Sequence, residues 1–242
     1  MARLRVAATG DLHCKRTSRG AFRDLFAEIS EAADVLLLCG DLTDYGLAGE
    51  AEVLADEASA GLRIPALAVL GNHDHESGDP AGVARILGGA GIAMLDGDGM
   101  EIRGVGFAGV KGFIGGFGER ALGPWGEEAV KRFVREAVDE ALRLEAALGQ
   151  LTTTERIVLL HYAPIEETVQ GEPPVVFPFL GSSRLEEPIN RRGATAVFHG
   201  HAHRGTPEGR TSANVPVFNV CLPLLQERFP DRSPFRLLEV PA

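Results

Sequence analysis

Short apolar runs alternate with longer amphipathic stretches along the first third of the chain. Residues 35–39 and 66–70 are continuous apolar runs of strand length, and residues 4–8 are apolar but for Arg5, a pattern that suits strands covered on both faces. Between them, residues 18–33 carry Phe22, Leu25, Phe26 and Ile29 at helical spacing, and residues 48–60 read as a second helix. This alternation predicts a βαβαβ unit with parallel strands and right-handed crossovers. The middle of the chain breaks the rhythm. Residues 92–95 and 100–103 flank Asp96-Gly97-Asp98-Gly99 and predict a hairpin, with residues 105–110 as a third antiparallel strand. The glycine-rich residues 112–118 predict a mobile loop. The longest helix is expected over residues 127–148, where one apolar stripe runs from Val130 to Leu148.

Buried strands return in the last third, at residues 157–160, 196–198, 215–220 and 235–240. Residues 172–183 are rich in proline and aromatics. A short helix over residues 183–192 is expected to open on a capping box of Ser183 and Glu186. No internal repeat and no linker-like shift of composition divides the chain, so residues 1–242 read as a single domain. Two mixed β-sheets flanked by helices fit this order of elements better than one doubly wound sheet.

Five of the apolar runs lead at once into residues able to bind metal. Residues 6–10 precede Asp11 and His13. Residues 35–40 precede Asp41. Residues 66–71 precede Asn72, His73 and Asp74. Residues 157–160 precede His161, and residues 196–198 precede His199, His201 and His203. In α/β sheets, sites form beyond the carboxyl ends of the strands. Imidazoles, carboxylates and one amide, with no thiolate motif, suit manganese, iron, cobalt, nickel or zinc. Seven donors, Asp11, His13, Asp41, Asn72, His161, His201 and His203, exceed what one tetrahedral ion takes and suffice for two ions sharing a carboxylate. Two divalent ions against two aspartates leave the centre at about +2, a sink for phosphate.

That local sink sits in an acidic chain. Lys+Arg 24 against Asp+Glu 34 gives −10. The balance argues against nucleic acid or an anionic membrane as the main partner and against a nuclease, which should bring a basic groove. Cys14, Cys39 and Cys221 are few and form no CxxC pair, so neither a disulfide framework nor a thiolate zinc site is expected. The amino-terminal residues 1–6 lack the apolar core of a signal peptide, and no apolar stretch approaches membrane-spanning length. A cytoplasmic protein without a membrane partner is the expectation.

The ordered blocks Asp11-Leu12-His13, Gly40-Asp41, Gly71-Asn72-His73-Asp74, His161 and Gly200-His201-Ala202-His203 resemble the calcineurin-like metallophosphoesterase superfamily. The resemblance spans residues 11–203 and implies a four-layer α/β sandwich. It implies that Asp11, His13, Asp41 and His203 hold one metal. Asp41, Asn72, His161 and His201 would hold the other, with Asp41 bridging and manganese the first choice for the pair. It also implies hydrolysis of phosphodiesters or phosphomonoesters by a metal-bridging hydroxide, with His73 facing the substrate as general acid or transition-state contact. In the phosphoprotein phosphatase branch an aspartate three residues after the bridging one orients that histidine. Asp44 occupies the offset, so an Asp44–His73 side-chain pair is expected. The GDLTD and GNHD stretches look like class III cyclic nucleotide phosphodiesterases. Tyr45 lies one residue late for the tyrosine ligand of purple acid phosphatases, and His13 stands where that branch has glycine. Members that have lost ligands serve as binding scaffolds, but all seven donors are present here.

Other residues fit plainer roles. His75 and His199 lie outside the ligand pattern and suit surface or supporting positions. Cys14 and Cys39 suit an inert interior. Lys111 and the glycine loop after it fit either a substrate cap or an exposed loop. Phe177 and Phe179 fit either a pocket wall or packing beneath a long connection. Residues 111–120 and 165–182 are expected to shape the substrate pocket.

Overall fold

The computed structural model describes residues 3–242; Met1 and Ala2, part of the amino-terminal segment considered above, lie outside the described residues. The first half builds β1 (Arg3–Thr9), α1 (Arg23–Ala32), β2 (Val35–Cys39), α2 (Ala48–Gly61), β3 (Ala66–Val69), α3 (Pro80–Gly89) and β4 (Ile92–Met94). β1 to β4 lie side by side in parallel, and β11 (Arg236–Pro241) closes the other edge antiparallel to β1. The apolar runs become the central strands because each is covered twice. Val6, Ala8, Val35, Leu37, Leu67 and Val69 face the second sheet, while Ala7, Leu36, Leu38 and Ala68 pack under the helices.

The second sheet has the order β5-β6-β7-β8-β10-β9, made of β5 (Asp98–Ile102), β6 (Val105–Gly109), β7 (Glu155–Leu159), β8 (Ala196–His199), β9 (Glu208–Arg210) and β10 (Pro216–Asn219). Its inner face supplies Val105, Phe107, Ile157, Leu159 and Phe198 to the same core. Its outer face carries α4 (Glu128–Gln150) and α5 (Glu186–Arg192) through Leu144, Leu148, Leu185 and Ile189. A last helix, α6 (Leu222–Arg228), precedes β11. The result is the expected α/β sandwich: two mixed sheets face to face, with helices outside each.

The hairpin expected around Asp96-Gly97-Asp98-Gly99 does not form. β4 pairs with β3 in one sheet, and β5 pairs with β6 in the other. Leu95 is buried in the core between the sheets, so the chain crosses from one sheet to the other there. The true hairpin joins β5 to β6 through Arg103 and Gly104, both at positive φ (48° and 84°), the backbone a two-residue primed turn needs. β6 is antiparallel only to β5; its other neighbour, β7, is parallel.

Two helix starts also differ, because distant side chains replace local caps. α1 begins at Arg23 and not near Ser18, since the Glu57 carboxylate on α2 accepts the N–H groups of Gly20, Phe22 and Arg23 at 2.8–3.1 Å. The Ser183–Glu186 capping box is absent. Ser183 Oγ accepts from Gly118 N at 3.1 Å, and Glu186 Oε1 accepts from Ser212 N at 2.6 Å. Residues 112–118 are not a free loop: Gly112 donates to Glu140 Oε2 at 2.6 Å, Gly115 to the Pro178 carbonyl at 2.9 Å and Gly116 to the Gly181 carbonyl at 3.0 Å.

Candidate metal centre

The seven donors meet at the carboxyl rim of the parallel strands, where the turns after β1 and β2 run alongside each other. Asp11 N donates to the Gly40 carbonyl at 2.9 Å, and His13 N to the Asp41 carbonyl at 3.0 Å. Asp74 ties the next turn to these. Its buried carboxylate accepts from Leu42 N, Thr43 N, Thr43 Oγ1 and Gly71 N at 2.6–3.1 Å. The motif glycines leave room for the carboxylates. A Cβ on Gly71 would run into Asp41, and one on Gly200 into Asp11.

The rim is also where the backbone is strained. Among the described residues, six non-glycine residues have positive φ, and four of them are Asp11, His13, Asp41 and His201. Such conformations cost about 1–3 kcal/mol each and persist where the surroundings dictate them. Here the surroundings are the hydrogen bonds of Asp11 N and His13 N above and the donation of His201 N to Asp11 Oδ1 at 2.9 Å.

Asp41 stands between two groups of donors. On one side its Oδ2 is 3.9 Å from His13 Nε2, which is 3.5 Å from His203 Nε2, itself 3.2 Å from Asp11 Oδ1. On the other side its Oδ1 is 3.4 Å from His161 Nε2, which is 2.9 Å from Asn72 Oδ1. His201 joins that second group, its ring 4.8 Å from that of His161. All seven candidates are therefore brought together, with one carboxylate facing both sets.

Hydrogen bonds to main-chain carbonyls set the imidazole tautomers, because a carbonyl can only accept. His161 Nδ1 donates to the Cys39 carbonyl at 3.0 Å, which leaves the Nε2 lone pair towards Asn72 and Asp41. His201 Nε2 donates to the Phe179 carbonyl at 3.1 Å, which leaves Nδ1 as its free donor. The lone pairs of His161 Nε2 and Asn72 Oδ1 then oppose each other at contact distance, an arrangement that a cation between them relieves.

The electrostatics agree. Burial lowers the pKa of His161, takes His13 to about 4 and takes His201 to about 3, so these rings are neutral near pH 7. Burial opposes the Asp11 anion, but the hydrogen bond with His203 and the surrounding imidazoles outweigh it and bring Asp11 to about 2. Burial and the Asp11 charge push Asp41 up to about 7. The Asp11 bond raises His203. Among the described residues no lysine or arginine pairs with Asp11 or Asp41. Two buried aspartates, three imidazoles that burial keeps neutral, the His203 ring bonded to Asp11 and an amide oxygen form a donor set that fits divalent cations.

His73 lies beside the first group, its ring 4.5 Å from that of His13. Its expected pairing with the Asp44 carboxylate is not what the structure contains. His73 Nδ1 donates to the main-chain carbonyl of Asp44 at 2.6 Å. The Asp44 carboxylate instead turns to His13 Nδ1 and Lys15 Nζ, each 3.6 Å away, the positive or polar groups within its reach. The orienting residue sits at the expected offset, but it acts through its backbone.

Several other residues take definite places. His199 is fully buried between the Gly200 carbonyl and Thr168 Oγ1, both at 2.8 Å, and burial lowers its pKa to about 4. His75 is exposed. Arg204 is exposed, and its N–H donates to Glu172. Tyr45 is exposed, away from any ligand role. Phe177 packs against a buried cluster that includes Phe117 and Val169, whereas Phe179 is exposed. Lys111 Nζ donates to the Gly112 carbonyl and lies over the rings of Phe113 and Tyr162.

The structure gives two residues roles that the sequence did not reveal. Asp74, named above only within its motif block, is the brace behind the rim. Cys221 brings its thiol within 4.8 Å of donor atoms of Asp11 and His203, and burial holds that thiol protonated, its pKa well above 9. Cys221 directly follows the strand segment of residues 215–220, so its place at a strand end was the signal that could have found it.

The fold has clear relatives among solved structures. A phosphopantetheinyl hydrolase of Mycobacterium tuberculosis superposes with a TM-score of 0.68 at 16% identity, over 96% of this chain and 95% of that one. TT1561 of Thermus thermophilus gives 0.57 at 17%, over 99% of both chains. GAP50, described as the anchor in the inner membrane complex of Plasmodium, gives 0.54 at 14%, over 92% and 73%. No curated protein sequence matches the chain. The profile of the calcineurin-like phosphoesterases matches residues 4–205, a span that holds every donor described above. The chain belongs to the calcineurin-like phosphoesterase family.

Proposed function

We propose that the protein is a metal-dependent hydrolase of small phosphate esters that works with two divalent ions. The observation that carries this reading is the position of Asp41, one carboxylate with an oxygen towards each of two donor sets. Asp11, His13, Asp41 and His203 would hold one ion; Asp41, Asn72, His161 and His201 would hold the other. When bound, such ions supply Lewis-acid neutralisation of the phosphoryl oxygens and a water of lowered pKa.

The remaining chemistry belongs to the chain's own groups. The Asp44 carbonyl keeps the His73 proton on Nδ1 and so fixes the ring. His73 Nε2 is then the atom that can hold a proton for the leaving oxygen or contact the phosphoryl group. Asp74 holds the turns bearing Asp41 and Asn72 at a constant separation. No described helix is long and apolar enough to cross a membrane.

The test is metal analysis of chelated and manganese-loaded protein together with hydrolysis of bis-nitrophenyl phosphate and nitrophenyl phosphate. Two bound ions per chain and metal-dependent turnover are expected. The preferred ester separates diesterase from monoesterase, and cyclic nucleotides as substrates test the class III resemblance. Asn72→Ala and His201→Ala should each lose one ion and at least about 100-fold in rate with the fold retained. Two bound ions without turnover of any ester would instead favour a binding scaffold.

A further inference from the structure

The Asp44 carboxylate has no part in the chemistry above, yet it is held firmly at the rim. The turns after β1 and β2 are joined there by two further hydrogen bonds. Cys14 N donates to the Leu42 carbonyl at 3.0 Å, and Asp44 N donates back to the Cys14 carbonyl at 3.1 Å. Cys14 and Thr43 form an isolated parallel bridge between these turns. The Asp44 backbone is thus fixed beside the turn that carries His13, and its side chain is only 14% exposed. A carboxylate so placed is not a solvated surface charge.

Its two oxygens face different groups of one segment. Oδ1 lies 3.6 Å from His13 Nδ1, and Oδ2 lies 3.6 Å from Lys15 Nζ. Both distances are just beyond hydrogen-bond length, so the contacts act through charge. Among the described residues the His13 ring hydrogen-bonds only through its other nitrogen. That nitrogen, Nε2, faces the candidate centre, 3.5 Å from His203 Nε2 and 3.9 Å from Asp41 Oδ2.

A neutral imidazole carries one proton, and the place of that proton decides which nitrogen can bind a cation. A carboxylate accepts and does not donate. The charge of Asp44 therefore favours the proton on His13 Nδ1 and leaves the Nε2 lone pair towards Asp41 and His203. His73 does not compete for this carboxylate, because its own Nδ1 proton goes to the Asp44 carbonyl at 2.6 Å. The two rings meet edge to face, 87° apart. One residue so serves two imidazoles, with its carbonyl on His73 and its carboxylate on His13.

We infer that Asp44 is a positioning residue for the metal ligand His13: its carboxylate keeps the ring in the Nδ1–H form, so that Nε2 serves the ion shared with Asp11, Asp41 and His203. Lys15 steadies the second oxygen. The inference rests on the two-ion reading above and assigns one of those ions an outer support. Such supports change metal affinity by about 10–100-fold. The division of labour within Asp44 makes the effect lopsided. Removing the carboxylate weakens one ion and spares the other, and it leaves His73 in place because the carbonyl remains.

The first readout needs no metal. In chelated protein with isotopically labelled histidine, long-range proton–nitrogen correlation spectra report the tautomer of each of the seven rings, and His13→Gln identifies the His13 signals. Wild type should show His13 as a single Nδ1–H tautomer. Asp44→Ala should shift it to a mixture or to Nε2–H, while His73 keeps its proton on Nδ1. The second readout is calorimetric titration with manganese. Asp44→Ala should weaken one of two ions about 10–100-fold, the same ion that His13→Gln removes, and leave the other unchanged. Asp44→Asn keeps the side-chain shape and should weaken that ion by less, which preserves the test if the alanine variant does not fold. An unchanged His13 tautomer in Asp44→Ala, equal weakening of both ions, or a displaced His73 proton with His13 intact overturns the inference. A shifted His13 tautomer in a protein that binds no manganese would sink the two-ion reading and leave the control of the tautomer standing. Two bound ions with His13 indifferent to Asp44 would sink only the role given to Asp44.

Discussion

Strand β2 carries an aspartate just outside each end, and the two are treated in opposite ways. Asp34, at the amino end, accepts from Arg5 N at 2.9 Å and Arg5 Nε at 3.3 Å, and lies 3.4 Å from Arg103 Nη1. The hydrogen bond from the Arg5 backbone, with the guanidinium groups behind it, lowers its pKa. Asp41, at the carboxyl end, has imidazoles and the His73 N–H for company, and its pKa rises to about 7. One end is closed with the chain's own arginines; at the other end, among the described residues, no lysine or arginine pairs with Asp11 or Asp41. A buried carboxylate without a cation is expensive, and the same rim also carries four strained residues. The difference supports the proposed reading, in which the carboxyl rim takes a charge supplied from outside while the amino end is complete in itself.

The strongest way to break the contrast is to cut the brace behind the rim. Asp74→Asn keeps the shape but replaces an acceptor of four hydrogen bonds with a group that also donates, and so sets an N–H against an N–H. A loss of about 3 kcal/mol is expected from the charged hydrogen bonds given up, together with most of the metal-dependent turnover. Denaturant unfolding of the chelated protein measures the first and the nitrophenyl assay the second. A stable, active variant would show that the turns carrying Asp41 and Asn72 hold themselves apart without Asp74.

The parts of this contrast that rest on local pattern could be read from the sequence. The apolar runs at residues 35–39 and 157–160 needed no partner information, because strands covered on both faces advertise themselves. The seven candidate donors could be picked out because each lies within a few residues after such a run. What could not be read was set by distant contacts. The chain leaves one sheet for the other at Leu95, and only the core between the sheets explains why. Glu57 caps a helix that begins more than thirty residues earlier in the chain. The orientation of His73 depends on a backbone carbonyl, which no side-chain pattern reveals. Arg103 in the hairpin turn is an unfavourable residue for positive φ, so turn preferences pointed to the wrong loop.

A smaller test concerns strain. His13 has φ 44° at a half-buried position. His13→Gly relieves a conformation that glycine adopts freely, although it loosens the unfolded chain as well. In chelated protein the melting temperature should hold or rise, by about 1 kcal/mol of stability at most. In manganese-loaded protein it should fall below wild type, because one donor is missing. The two readings, taken on the same variant by calorimetry with and without the ion, separate strain from ligation. A fall of equal size in both would show that His13 is ordinary packing and that the rim holds no strain for a metal to offset.

The smallest effect belongs to the closed end. Asp34→Asn removes a partly exposed ion pair, and about 0.5–1 kcal/mol is expected at neutral pH. The sign with pH follows from the lowered pKa of Asp34. The folded state binds its proton less tightly than the unfolded state, so the stabilisation is complete above the ordinary carboxylate pKa of about 3.9 and fades as pH falls through the lower folded value. Wild type and Asp34→Asn should therefore differ at pH 7 and converge in acid, by urea unfolding at a series of pH values. Manganese should leave that difference untouched, since the pair lies at the opposite end of β2. If manganese changed it, the two ends would be coupled, and the division into a closed end and an open one would have to be given up.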